Sequence, residues 1–491
     1  MLHNKKDPIL IISLLAIVFL LGSCQTETID KTASLSPNRP NILWLVTEDM
    51  GAYIPPFGDS TIQTPNLSRL AKEGVIYPNL YSTSGVCAPS RAAIATGMYP
   101  SSIGANHMRT NSNMDKTGLP TYEAVPPPQV KMISELLRLE GYYCTNNYKE
   151  DYQFKAPKTA WDESSKYAHW RNRKDNQPFF SVFNFTETHE SGLFEPYGFR
   201  HIEARHYHSG DTSYTWKPGR MTEAETPVHL SKNTEFSIPP YLPDNEVVRN
   251  DMWKLYNNIS EMDSQIGAVL DQLEEDGLLE NTIIMFYGDH GGPLPRQKRL
   301  VYDSGLNTPM IIRFPDKWNA GTKDEQLVSF VDFAPTLLSL SGTEPFDYMQ
   351  GQAFLGDYKS KKERNLANQP EHQDKLQELK KEMKRWLAAI DDQPNLPEQE
   401  LINRLWNNKK TQPITAPPTI KTSNGKIKID CPTEGASIGY KIITDQGTTL
   451  KAWSVYTTPF EVSTDRKLLV KAHRIGYKAS KKVKIGVADL E

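Results

Sequence analysis

The chain has 491 residues, enough for about three domains of ordinary size or one large domain with appendages. Its 56 Lys plus Arg stand against 59 Asp plus Glu, a formal net charge of −3, which argues against a nucleic-acid partner, whose phosphates call for a basic field. Hydrophobic residues at 38% and charged residues at 23% describe a globular chain, and four cysteines are too few for a disulfide framework at this length.

Residues 1–23 read as an export signal. Lys5 and Lys6 precede an apolar run from Pro8 to Leu21, which is short for a bilayer span and has the shape of a cleaved leader. The run ends in Leu21-Gly22-Ser23-Cys24, which resembles a bacterial lipoprotein box. That resemblance implies lipidation (palmitate) at Cys24 and a membrane partner, the bacterial outer membrane, on its periplasmic or surface face. Several acyl chains hold far more firmly than one. An ordinary secretory leader with an incidental cysteine is the other reading. Residues 24–38, polar and rich in Thr and Ser, read as a flexible tether.

Beyond the tether, Asn41–Val46 is a short continuous apolar run, the pattern of a strand buried on both faces of a parallel sheet. Helical stretches are predicted at Pro65–Glu73, Val130–Glu140 and Asp244–Glu275, and further apolar runs at Pro178–Phe185, Thr282–Tyr287 and Met310–Phe314. This alternation predicts an α/β sheet with helices on both faces, in which ligands collect at the carboxyl ends of the strands. Between about Gln369 and Asn408 the chain is charged and helical, and Leu376, Leu379, Met383, Trp386 and Leu387 form a stripe expected to pack. A Pro/Thr linker follows at Pro413–Pro418. From Lys421 to Glu491 short alternating strands with turns at Asn424-Gly425 and Gly476-Tyr477 predict a small C-terminal β-sandwich, similar to the chitobiase C-terminal type and without a catalytic role. Cys144 and Cys431 are expected to be interior apolar residues.

The chemistry-bearing residues cluster after the predicted strands. Cys87-Ala88-Pro89-Ser90-Arg91 follows a Gly-containing turn and opens an Ala-rich helix, which places Cys87 at a helix N-terminus, where anions are favoured. Thr47-Glu48-Asp49 ends the first strand, and Gly288-Asp289-His290-Gly291 ends the strand at Thr282–Tyr287. One acidic pair alone is most often a helix cap or a solvated turn. Two pairs at two strand ends make an oxygen-rich cage that suits calcium, with an imidazole as a further ligand. His107 in Gly104-Ala-Asn-His107 could line the same pocket. His107 is equally readable as a hydrogen-bonded loop residue. His201, His206 and His208, irregularly spaced beside Arg200 and Arg205, read as a polar insertion suited to an acidic glycan rather than as metal ligands.

Over most of residues 39–345 these motifs resemble the type I sulfatases. The resemblance implies an alkaline-phosphatase-like sheet and a Cys87 oxidised to formylglycine (3-oxoalanine) by a maturation enzyme. One geminal hydroxyl of the hydrated aldehyde would attack sulfur, and the other would then expel sulfate. It implies that Arg91 neutralises the metal carboxylates, that calcium is held by Glu48, Asp49, Asp289, His290 and residue 87, and that Lys149 and Lys298 bind sulfate. Glu48 departs from the family's usual aspartate and His290 from its usual asparagine. Asp151 stands where the family has a histidine, so the general-acid role shifts to His189. His107 and Arg296 are left as substrate-binding candidates. The motif set lies closest to the heparan N-sulfatase and iduronate sulfatase side of the family.

The family's second subdomain looks pared down. Met349–Leu355 resembles its entry and Asn365-Leu366-Ala367-Asn368 its exit, leaving 346–412 as a shortened subdomain with helices before a sandwich at 413–491. The expected function is hydrolysis of sulfate esters of a sulfated carbohydrate, with ulvan-like algal glycans or glycosaminoglycans as substrates. A phosphodiester or phosphonate hydrolase of the same superfamily and a non-catalytic glycan-binding lipoprotein are the alternatives.

Overall fold

A computed structural model describes residues 39–110, 114–199, 226–360, 370–389, 395–444, 447–448 and 452–490. The predicted leader, Cys24 and its tether, the histidines at 201, 206 and 208, and the 365–368 motif lie outside the described residues. No helix among the described residues is long and apolar enough to cross a membrane.

The central sheet is built on β1 (Asn41–Thr47), every residue of which is buried. Strand β1 pairs in parallel with both β4 (Phe179–Phe185) and β5 (Thr282–Gly288), and β3 (Tyr143–Asn147) adds in parallel beyond β4. On the other side β6 (Asn307–Arg313) runs antiparallel to β5, and β2 (Val75–Tyr81) antiparallel to β6. Short strands at Glu163–Ser164, Thr322–Lys323 and Val328–Ser329 finish the sheet. The parallel expectation for the Met310–Phe314 run is therefore corrected: the sheet is mixed. The chain leaves β5 through residues 289–306, whose ends are tied by Gly291 N–H to Gly305 C=O (3.0 Å) and Gly292 N–H to Ser304 C=O (3.2 Å). The loop closes on itself, so the chain re-enters the sheet at the edge it left, running backwards.

The period of two sorts the strand side chains onto two faces. Leu43, Leu45, Phe183, Ile284 and Phe286 pack with α1 (Pro65–Glu73) and the long α4 (Glu246–Glu275). On the opposite face Trp44 meets Phe180, and Trp44 and Tyr287 meet Phe333 of α5 (Phe333–Leu340). Helices α2 (Cys87–Thr96) and α3 (Ile133–Leu139) cover that same face through Ile94, Ala95 and Ile133. The helices are thus on both faces, as the alternation predicts. Helix α4 starts at Glu246 rather than Asp244 because Asn245 caps it, its side chain accepting from Val248 N–H at 3.0 Å. Helix α3 starts at Ile133 because Met132 is extended and caps it, with the Glu135 carboxylate reaching back to accept the Met132 N–H.

The charged segment forms α6 (Gln373–Ala389) and α7 (Glu398–Leu405). Helix α7 packs Ile402 with Trp406 against Tyr122. The stripe of α6, expected to pack, does so only in part: Leu376 and Trp386 are half-buried, while Leu379 is 51% exposed, Met383 60% and Leu387 41%. Trp386 meets the ring of Tyr99 at 4.8 Å.

The C-terminal residues form two antiparallel sheets. One joins β7 (Thr419–Ser423) to β8 (Lys426–Asp430) across the predicted Asn424-Gly425 turn; the other centres on β9 (Ser437–Thr444) and β10 (Lys467–His473). Ile427, Ile429, Leu468 and Val470 make their common core. Cys144 is buried as expected; Cys431 is only half-buried, its Sγ 3.4 Å from the Ala416 carbonyl. The sandwich is keyed into the larger unit. Ile475 sits in the same core as Ala92 and Ala95 of α2 and Met132. Gly476 follows at φ +81°, where a Cβ would collide with the Ala124 carbonyl oxygen. Arg474 donates to Pro126 O (2.9 Å), and Lys131 to Gly435 O (2.7 Å).

Candidate active site

The three central strands end together, and backbone hydrogen bonds tie their ends. Asp289 N–H donates to Thr47 O (2.9 Å), Glu48 N–H to Phe185 O (3.1 Å), and Asp49 N–H to Asp289 Oδ1 (3.0 Å). Asp49 bends the chain away from β1 at φ +50°, a conformation aspartate tolerates better than most residues. Its carboxylate thereby comes next to the end of β5.

Helix α2 begins at Cys87 against this edge. The Cys87 thiol is 3.4 Å from His290 Nε2 and 3.9 Å from Asp49 Oδ1. One ligand atom from each of Asp49, Cys87, Asp289 and His290 lies within 4.8 Å of the others, and Glu48, Asp49, Cys87 and His189 form a second such set. Four buried groups able to bind a cation thus converge from three elements far apart in sequence.

Cations surround the cluster. Lys298 Nζ bridges both oxygens of Asp49 at 2.8 and 2.7 Å and lies 3.4 Å from Glu190. Arg91, one turn after Cys87, binds Asp289 Oδ2 through Nε (2.9 Å) and Asn184 Oδ1 through Nη1 (2.7 Å). Lys149 pairs with Glu48 and lies 3.4 Å from Asp151. Ser90 donates to the Asp289 carbonyl, and Thr188 to that of Glu48.

These contacts set the protonation states. Burial opposes charge on Asp49, but the hydrogen bond and charge of His290 and the ammonium of Lys298 outweigh it and hold the carboxyl well below its usual range. Asp289 follows the same pattern, burial being overcome by His290 and Arg91. Burial, then the charge of Asp289, pushes the Cys87 thiol up, so it is a neutral thiol rather than a preformed thiolate. Burial lowers Lys149 against the pull of Asp151.

The structure gathers Glu48, Asp49, Cys87, Arg91, Lys149, His189, Asp289, His290 and Lys298. Two further candidates lie on the surface. His107 is exposed, with Glu398 and Arg109 as its charged neighbours, and Arg296 is exposed on the loop that carries Lys298. His189 Nδ1 accepts from Ser191 N–H at 3.2 Å, which leaves Nε2 to carry the proton of the neutral ring. Asn184 and Glu190 were not anticipated. Glu190 donates its N–H to Asp49 Oδ2 (2.7 Å) and holds Arg299 through both carboxylate oxygens. For Asn184 a signal was present: a lone amide inside the buried run Phe179–Phe185 needs a polar partner.

The profile of the Sulfatase family matches residues 40–156 and 141–343. An "Ulvan-active sulfatase" of Formosa agariphila is 59% identical over 92% of this chain and 92% of its own length. That alignment runs over 550 positions, more than the 491 residues here, so several dozen or more positions of the relative have no counterpart in this chain. Human N-acetylgalactosamine-6-sulfatase is 26% identical over 64% of each chain. Among solved structures, one of a putative sulfatase from Bacteroides thetaiotaomicron aligns with a TM-score of 0.50 at 16% identity, covering 72% of this chain and 93% of that one. The last likeness concerns the fold alone: an alkaline-phosphatase-like mixed sheet. The sequence and the fold together place this chain in the sulfatase family, as a sulfuric ester hydrolase.

Proposed function

We propose that this protein removes sulfate esters from a sulfated polysaccharide or its oligosaccharides, of the ulvan-like kind, using a formylglycine at position 87 and one calcium ion. The observation that carries the reading is the convergence of Cys87 with Asp49, Asp289 and His290 at the strand ends. The 59% identical ulvan-active relative supports the substrate class.

The donor set fits both groups. Glu48, Asp49 and Asp289 offer hard oxygens, which suit calcium, and His290 adds an imidazole. The soft sulfur of an unmodified Cys87 is the one donor that does not suit it, and conversion to formylglycine replaces that sulfur with oxygen. Calcium bound there would polarise the sulfate oxygens. The hydrated aldehyde would supply one hydroxyl to attack sulfur and a second to release sulfate.

The chain's own residues do the rest. Arg91, fixed by Asp289 and Asn184, balances the buried negative charge beside residue 87. Lys298, paired with Asp49, and Lys149, paired with Glu48, would hold sulfate oxygens. His189, its Nδ1 fixed by Ser191, presents Nε2 to protonate the leaving sugar oxygen. The domain limits read from the sequence, the maturation enzyme as a partner, export, and the lipid anchor at Cys24 belong to the same proposal.

The test is sulfate release from ulvan oligosaccharides by protein whose residue 87 is read by peptide mass. Release that requires calcium and vanishes in Cys87→Ala supports the proposal. Turnover of phosphate esters or phosphonates exceeding that of sulfate esters overturns it.

A further inference from the structure

The loop 291–305 does two things with alternate parts of itself. Gln297 and Lys298 turn inward and are buried, Lys298 on Asp49 and Gln297 on the hydroxyls of Tyr53 and Tyr241. Arg296, one residue earlier, turns outward. Its guanidinium carbon lies 5.2 Å from the ring centre of Tyr241 and 4.9 Å from that of Tyr302, which is 51% exposed. Among the described residues its guanidinium makes no hydrogen bond or ion pair.

A guanidinium lying over aromatic rings is held by its faces, and its N–H groups point outward from its edge. That edge is the bidentate match of a carboxylate or a sulfate. The backbone holds the arginine still: Arg296 has φ +65°, and its carbonyl accepts the Ser304 hydroxyl at 2.8 Å. Two peptide units separate it from Lys298, so their Cα atoms lie at most about 7.6 Å apart. It is therefore an exposed cation on the same loop as Lys298, without an ion pair among the described residues, and Tyr302 offers an open ring face next to it.

We infer that Arg296, steadied by Tyr241 and Tyr302, is a subsite for a second anionic group of the substrate, a carboxylate or a further sulfate on a sugar of the same acidic chain. The subsite rests on the proposed function and adds to it a reason to prefer polyanionic glycans over singly sulfated sugars.

Binding tests the subsite independently of turnover. Full-length Cys87→Ala protein and its Arg296→Gln derivative are titrated calorimetrically with three ligands: sulfated ulvan oligosaccharides, the same with uronate carboxyls reduced to alcohols, and the same after partial desulfation. Cys87→Ala should bind the intact ligand about 10-fold or more tightly than whichever modified ligand lacks the recognised anion. Arg296→Gln should abolish that preference. Loss of the preference on the carboxyl-reduced arm names a carboxylate, and on the desulfated arm a sulfate. An equal preference in both proteins, or no preference in Cys87→Ala, overturns the inference. Failure of the sulfatase reading shows separately, as wild-type protein with formylglycine and calcium that releases no sulfate.

Discussion

Arg91 and Asp289 are each buried and pair at 2.9 Å, and Asp289 is the main counter-charge of Arg91. Removing one leaves the other charged out of water, so Arg91→Ala should cost about 3–5 kcal/mol of stability in denaturant melts without added metal. A cost under about 1 kcal/mol would mean that the pair is not formed. A second buried group sets a pH limit away from the site. His169 accepts the Arg171 N–H at Nδ1 (3.2 Å) and meets Gln272 Oε1 from Nε2 (3.0 Å), which the neutral ring satisfies and the doubly protonated ring does not. Burial, then the charge of Arg171, lowers its pKa to about 4. The unfolded chain protonates this ring near pH 6.5 while the folded chain resists. Its stabilisation is therefore complete above about pH 6.5 and is lost as pH falls toward 4, worth about 3 kcal/mol in all. Denaturant melts between pH 7 and pH 4 should show that loss in the wild type and a shallower slope in His169→Gln. Identical slopes would contradict the assignment.

Among the elements, the loop after β5 is the one that holds Lys298 on Asp49. A Cβ at Gly291 would strike the Ser304 carbonyl where the two ends of the loop meet. Gly291→Ala should therefore open the loop, displace Lys298 from Asp49, and lower the rate of sulfate release more than it lowers the melting temperature. Helix α6 predicts the reverse. With Leu379 and Met383 exposed, Leu379→Glu and Met383→Glu should each change stability by under about 0.5 kcal/mol. A loss of several kcal/mol in either would mean that the stripe is covered in the folded protein. The contrast shows what the sequence made legible. The apolar runs and the acidic pairs at their ends were readable because a buried strand allows charge only where it stops. The fate of the α6 stripe was not, because an apolar face has the same spacing whether or not another element reaches it. Glu190 was hidden for a different reason: its role lies in a backbone N–H and a long-range pair with Arg299, and residue type alone announces neither.

At the scale of the whole molecule, the sandwich shares a core with the helix that carries Cys87. Ile475 packs with Ala92 and Ala95, and Arg474 and Lys131 lock the two parts with hydrogen bonds to backbone carbonyls. Ile475→Asp buries a charge in that core and should cost more than about 3 kcal/mol, with both parts melting in one transition. Two separate transitions, the first leaving the sulfatase unit unchanged, would show the sandwich to be an independent appendage. The relative's additional residues sharpen the larger question, which is whether this shorter chain performs the full reaction. Cys87, Asp49, Asp289, His290, Lys298 and Arg91 come together at the strand ends from the end of β1, from helix α2 and from the loop after β5. The decisive measurement is sulfate release from ulvan oligosaccharides by protein with formylglycine confirmed at residue 87, with and without calcium. Calcium-dependent release, absent in Cys87→Ala, is the predicted result. No release by fully modified, calcium-loaded protein would contradict it.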